Sequence, residues 1–300
     1  MDPYQPPEES RPAPQPVSSY NIKHHDIGGV LDQAVALAKD HFFSLFKILA
    51  VSLIPINIAS GMAMLSIMPP QPPMGAPPEQ SEQFFREMIQ AFQDNLPMLL
   101  VIWAILLVVY PVSQAAVIHA AAKLYLGKSV TVKEALQAGL SRIFSFLGVS
   151  ILAGLSVFAG MIMCLLPGIF LGIIFCLATH VVVIEKAGPI DGLSRSVKLV
   201  WPDILTAGVV GVLLFFIGGS VGFGAALIPQ PHIQQILQVL LQSVMTIFST
   251  TTFVVFYFSC RCGLENFDLQ HMAESIDGDG SNSTGSDRLD DGTNFFGQPE

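Results

Sequence analysis

The sequence predicts an all-α integral membrane protein of six transmembrane helices, joined by amphipathic linker helices on the cytoplasmic side. Three observations carry this. First, 51% of the 300 residues are hydrophobic and only 12% are charged, where soluble domains carry about 25%. Second, Asp, Glu, Lys and Arg are missing from runs of 31, 28, 42 and 57 residues, long enough to cross a hydrocarbon core that needs about 20 apolar residues. Third, Lys and Arg collect on one side of those runs, as insertion with basic loops retained inside requires. The net charge of -9 sits mostly in residues 263 to 300, which hold nine acids and one Arg. No basic surface for nucleic acid is left, and the expected partners are the lipid bilayer and an unidentified membrane protein.

The spans follow in order. Residues 1–20, rich in proline and without the apolar core of a signal peptide, read as a disordered cytoplasmic lead, and 21–272 as the membrane domain. The first run gives a span over Ile48 to Met68. The second, from Pro97 to Ala122, contains Pro111, which a helix packed among others can absorb as a kink. The third is too long for one helix and is split by Leu166-Pro167-Gly168 into a hairpin of Ile143 to Leu165 and Ile169 to Ile184. The fourth is split likewise by Pro229-Gln230-Pro231-His232. Residues 69 to 96 read as a Pro-rich loop on the outer side, with Arg86 its only cation. Residues 273–300, acidic and rich in Gly and Ser, cannot bury enough apolar surface to order and read as a disordered cytoplasmic tail. Both termini are thus expected on the cytoplasmic side of the membrane.

The inner loops carry helix signals. Thr131 and Glu134 have capping-box spacing, followed by an apolar face of Leu136, Leu140, Ile143, Phe144 and Leu147. Pro189 suits a first helical position, followed by a stripe of Ile190, Leu193, Val197, Val200 and Trp201. Val30, Ala34, Leu37, Ala38 and Phe42 repeat the pattern before span one. Aligning Gln33, Glu134 and Asp191 brings Phe43, Phe144 and Trp201 into register, which suggests three parallel repeats of two spans each.

Several strings occur together in order: Leu166-Pro167-Gly168-Ile169, Val183-Ile184-Glu185, Leu193-Ser194-Arg195-Ser196, Phe256-Tyr257, Arg261, Glu265 and Phe267-Asp268-Leu269. Over residues 25 to 272 the chain thereby resembles the glycerophosphoryl diester phosphodiesterase membrane domain family of six-span bacterial proteins. Ser259 stands where that pattern has an acid, and Gly263 where a second basic residue is common. The resemblance implies that enzymatic members carry a separate catalytic barrel, and such a barrel needs about 200 residues or more. Only 30 follow Gln270, so the chain is expected to be non-enzymatic.

Other motifs fall short of chemistry. Gly127-Lys128-Ser129 lacks the upstream glycine of a phosphate loop, Cys260 and Cys262 have no second pair, and the Asp277 segment lacks the glycine and glutamate of a calcium loop. No cofactor or metal site is expected. His119 and His180, ionisable within spans but close to the cytoplasmic end, read as satisfied structural histidines, with proton transfer as the alternative. A polar stripe of Gln235, Gln238, Gln242, Thr246 and Ser249 recurs at three- and four-residue spacing on span six, and Gly218 and Gly222 offer a close-packing surface on span five. The stripe reads either as hydrogen bonding between helices or as the wall of a wetted cavity. The corresponding functions are a membrane-embedded scaffold or accessory protein, and a transporter of small solutes or lipids.

Overall fold

The computed structural model describes residues 20, 24–70, 77–228 and 230–265; the lead up to residue 19 and the tail lie outside them. The described chain is helical, and five helices are long and apolar enough to cross a membrane, or six if one bent pair counts as a span. It is thus a membrane-embedded protein. The bent pair is α2 (Phe42–Ser52) with α3 (Ile54–Ile67), set 47° apart. Pro55 explains the break, since its ring excludes the preceding turn and it has no N–H to donate. Asn57 Nδ2 takes up the Leu53 carbonyl at 2.9 Å.

The other long segments are α5 (Leu96–Tyr125), α7 (Ile143–Met163), the pair α8 (Leu165–Ile174) and α9 (Ala178–Ile184), α11 (Ile204–Ala226) and α12 (Pro231–Glu265). Pro111 lies inside an unbroken α5. Two features differ from expectation. The hairpin breaks at the extended Cys164 (φ -170°, ψ 152°) instead of at Pro167, which falls in the first turn of α8, where a missing N–H costs no hydrogen bond. The outer loop is also partly helical, since α4 (Pro78–Asp94) spans most of it. Its Phe84, Phe85, Met88 and Phe92 share one face, opposite Glu79, Arg86 and Gln90.

Three shorter helices lie together at the other end: α1 (Ile27–Asp40), α6 (Val132–Ser141) and α10 (Pro189–Val200). Their starts follow local signals, those of α6 and α10 already read in the sequence. Asp26 Oδ1 accepts from Gly29 N at 3.1 Å, Thr131 Oγ1 accepts from Glu134 N at 3.3 Å, and Pro189 opens α10. The capping box closes on one side only, because the Glu134 carboxylate is taken by Lys123 at the end of α5. Gly127 (φ 74°) ends α5, with Lys128 N donating to Lys123 O at 2.9 Å and Gly127 N to Leu124 O at 3.0 Å. This left-handed glycine stop is what Gly127-Lys128 does.

On α1 the stripe read in the sequence is buried at Val30, Ala34 and Leu37, but the faces that α6 and α10 bury differ from the stripes read there. On α6 the buried residues are Ala135 and Gly139, while Leu140 and Phe144 are exposed; on α10 they are Gly192, Ser196, Leu199 and Val200, while Ile190 and Trp201 are exposed. Inside a bilayer the large apolar side chains can stay on the lipid side, and the contact goes to small residues that let backbones approach. A Cβ at Gly139 would press on Val112 O and Ala116, and one at Gly192 on Val182. In the threefold register the inward small pairs are Ala34 and Ala38, Ala135 and Gly139, Gly192 and Ser196. The aligned aromatics Phe43, Phe144 and Trp201 are 76%, 86% and 60% exposed.

The main core lies at this linker end. It joins Val30, Leu37 and Leu49 to the small run Ala115–Ala122 of α5 and to Val254–Phe258 of α12. Tyr20, assigned by sequence to the end of the lead, is buried there and stacks on Tyr125. Its hydroxyl donates to Asp40 Oδ2 at 2.9 Å, and burial together with that carboxylate raises its pKa well above the phenolic range. Toward the far end, α5, α7 and α11 expose most of their side chains, as lipid-facing helices do.

Glu134 gives a pH test of the linker contacts. The hydrogen bond from Lys123 is the largest cause holding its carboxyl below the ordinary range, so the pair contributes stability above the ordinary carboxylate pKa and loses it as pH falls through the depressed one. Melting curves in detergent should therefore separate Glu134→Gln from wild type at pH 7 and converge under acid. A gap unchanged by pH would mean the carboxylate's charge contributes nothing.

Candidate functional site

Two polar clusters stand out at and above the linker end. The first begins at Glu185, which caps α9. Arg195 of α10 donates Nε–H to both carboxylate oxygens, each at 3.2 Å, and Tyr257 of α12 donates its hydroxyl to Oε1 at 2.7 Å. Arg261, one turn on, donates to the Tyr257 oxygen at 3.3 Å, with its guanidinium 5.8 Å from the ring centre. The Glu185 and Arg195 side chains are only 22% and 29% exposed. The next residue, Lys186, has φ 58°, a left-handed conformation that costs a non-glycine residue of order 1 kcal/mol or more. Its carbonyl accepts from Arg142 Nη1 at 3.3 Å. Three helices are thus tied at one point, by residues that lie 10 and 72 apart in the chain.

Sequence reasoning quoted all four of these residues within strings but did not bring them together. The periodicity of each helix is blind to contacts between helices. The available signal was an acid and bases at span ends, where a desolvated charge needs a partner.

Ser259 has a similar role. Where the resemblance puts an acid, its hydroxyl accepts from His25 N at 2.8 Å and donates to His25 O at 3.3 Å. A neutral group with one donor and free lone pairs satisfies both backbone atoms and pins the segment before α1 to α12.

The second cluster is a pocket of about 280 Å³ between α5, α7, α9 and α12. Tyr110 and Gln114 of α5, Ser150 of α7, and Thr179 and His180 of α9 contribute polar atoms to its lining; Phe146 and Phe253 contribute aromatic walls. His180 is buried, its ring 5.5 Å from that of Phe253. Its Nδ1 lies 3.4 Å from Thr179 Oγ1, and its Nε2 has no hydrogen-bond partner among the described residues. His119 does not line this pocket. A separate groove of about 400 Å³ between α1, α2 and α12 is apolar except for Lys39.

The stripe on α12 does not act as one surface. Gln235 donates to Asn57 O of α3 at 3.4 Å and lies over Gly61, where a Cβ would collide with it. Thr246 and Ser249 donate to carbonyls of their own helix at 2.8 and 3.2 Å, and only Ser249 also lines the pocket. Gln238 and Gln242 are exposed. Nor do the α11 glycines mark a close approach within the chain. A Cβ at Gly222 would meet nothing within 4 Å, and one at Gly218 only Met245 Cε at 3.9 Å. Small residues three or four apart permit close packing, but which face is packed is set by the neighbours.

Residues 84–260 match a family described as a domain of unknown function, DUF7847. Nothing in that match connects the chain to the glycerophosphoryl diester phosphodiesterase membrane domain. No curated protein and no solved structure matches the chain.

Proposed function

We propose that this chain, which belongs to the DUF7847 family, is a non-enzymatic, six-span scaffold or accessory protein of the bacterial inner membrane, with both termini cytoplasmic. The observation that carries this reading is the tie of α9, α10 and α12 through Glu185, Arg195, Tyr257 and Arg261. It holds the linker end as a rigid base, from which lipid-exposed helices extend. In this reading α2 and α3 together form the first span, and the chain is three copies of a linker helix followed by two spans. The shared small inward pairs and outward aromatics support the repeat. So does the packing order: α6 lies on α5 and α10 on α9, while α1 closes the set by lying on α12. Phe43, Phe144 and Trp201 then sit at the cytoplasmic bilayer surface, where large aromatic rings are favoured. The resemblance to the glycerophosphoryl diester phosphodiesterase membrane domain belongs to the same proposal, and it concerns fold only.

The test is native mass spectrometry of the full chain extracted in its own lipids. A membrane-protein partner retained at fixed stoichiometry is the expected result, whereas solute flux through the pure protein in proteoliposomes would replace this reading with the transporter. Topology is tested by alkaline phosphatase fusions, expected to be inactive at residue 300 and active at Gly75; the reverse pattern overturns the orientation.

The transporter alternative requires water along α12. In a background without native cysteine, Gln238→Cys and Gln242→Cys should resist a charged, membrane-impermeant thiol reagent if those positions face lipid or a partner. Labelling at both, with lipid-face controls silent, would mean a wetted path.

A further inference from the structure

Helix α4 has no core to fold on within the chain. None of its 17 residues is buried, and Phe85, Ile89 and Phe92 are 56%, 54% and 36% exposed. A helix of this length owes most of its stability to packing an apolar face, so that face is covered by something outside the chain. We propose that α4 is a membrane-surface helix, seated among the acyl chains of the leaflet farther from the linker helices, and that it prefers lipids without net charge. The inference needs α5 as a span, but neither the scaffold reading nor the orientation.

Three features point to lipid. Phe84, Phe85, Met88, Ile89 and Phe92 recur at i, i+1, i+4, i+5 and i+8, one apolar arc, and a contiguous exposed patch of this kind marks an interaction surface. The patch also continues the lipid-facing surface of a span. Asn95 ends α4, its N–H donating to Ala91 O at 3.2 Å, and α5 starts at the next residue with Leu96, Leu100 and Trp103 all exposed. The apolar arc of α4 therefore stands at the depth where α5 enters hydrocarbon. Depth agrees at the other end: about 20 residues cross the core, so a span entered at Leu96 reaches the buried run that begins at Ala115, where the linker helices pack.

Charge selects the lipid. Surface helices that bind anionic membranes carry Lys and Arg on the polar face. Here Glu79, Glu82, Glu87 and Asp94 stand against Arg86 alone, which itself pairs with Glu82 at 3.7 Å. Anionic headgroups repel such a face, so α4 is held by apolar contact.

The test uses the full chain in nanodiscs, with Trp103→Phe and Trp201→Phe removing the native indoles; both are exposed, so the core is untouched. Reporters are Phe85→Trp and Ile89→Trp on the apolar arc, with Gln83→Trp and Gln90→Trp on the polar side. In phosphatidylcholine with brominated acyl chains, emission at 85 and 89 should be quenched by bromine and shielded from aqueous acrylamide, and emission at 83 and 90 should show the reverse. Two conservative reporters at exposed sites guard against one failing to fold. Acrylamide quenching at 85 and 89 would place the face in water, and shielding from both quenchers would mean that protein, such as a second copy, covers it; either result overturns the proposal. At a fixed share of brominated lipid and low salt, adding phosphatidylglycerol should reduce bromine quenching at 85 and 89, and added salt, which screens surface charge, should restore it. Quenching unchanged or strengthened by the anionic lipid overturns the preference for uncharged lipid.

Discussion

Gly139→Leu should cost on the order of 3 kcal/mol of stability, the upper end of what overpacking a close contact does, and should displace α6 from α5. The reason is local. The nearest atoms to an added Cβ are the Val112 carbonyl oxygen, the Ala116 backbone nitrogen at 3.1 Å and the Ala116 methyl at 3.3 Å. Backbone of a 30-residue helix cannot step aside as a flexible side chain can, so the two helices must part. Parting them also stretches the Lys123 to Glu134 pair. Gly222→Leu is the control. It adds the same side chain, but on α11 and toward open space, and it should melt with the wild type. Melting temperatures in detergent compare the two, and equal loss in both variants would mean that α11 is packed on something the isolated chain lacks.

Glu185→Ala should cost about 2 kcal/mol. Removing one partner of a fully buried pair costs roughly 3–5 kcal/mol because the other charge is stranded, and the partial exposure of Glu185 and Arg195 lowers that figure. Two donors lose their acceptor at once, the Arg195 guanidinium and the Tyr257 hydroxyl. Tyr257→Phe alone removes one hydrogen bond and should cost about 1 kcal/mol. The double variant should be little worse than Glu185→Ala, because both changes act on one network. Strict additivity of the two would show that the tyrosine and the carboxylate act independently, and would undo the view of the linker end as a single tied block.

Much of this architecture could be read directly. The charge-free runs, the cap at Thr131 and the proline opening α10 depend on local chemistry: apolar length, one side-chain acceptor, one fixed φ. Local rules also explain the near misses. Pro167 marks a chain break, yet a proline tolerates the first turn of a helix, so the break moved to Cys164. Residues 78 to 94 looked like loop because prolines precede them, although their own apolar residues already had a helical period.

The candidate site was less legible. The glutamine stripe has one period and three fates: Gln235 bonds to another helix, Thr246 and Ser249 bond to their own, and Gln238 and Gln242 are exposed. Spacing gives a side chain's direction around its helix axis and says nothing of what stands opposite.

By itself the sequence determined that this protein is helical and membrane-embedded, and where α6 and α10 begin, because burial in lipid and capping are decided within a few turns of chain. The tertiary structure alone decided which faces meet. In lipid, large apolar side chains gain little by turning inward, so on α6 the small pair Ala135 and Gly139 makes the contact, small residues share it with Val30 and Leu37 on α1 and with Leu199 and Val200 on α10, and the aromatics of the same register stay outside. It alone also gathered Glu185, Arg195, Tyr257 and Arg261, since a charge far from water takes its partner from whichever helix folding brings within hydrogen-bonding distance.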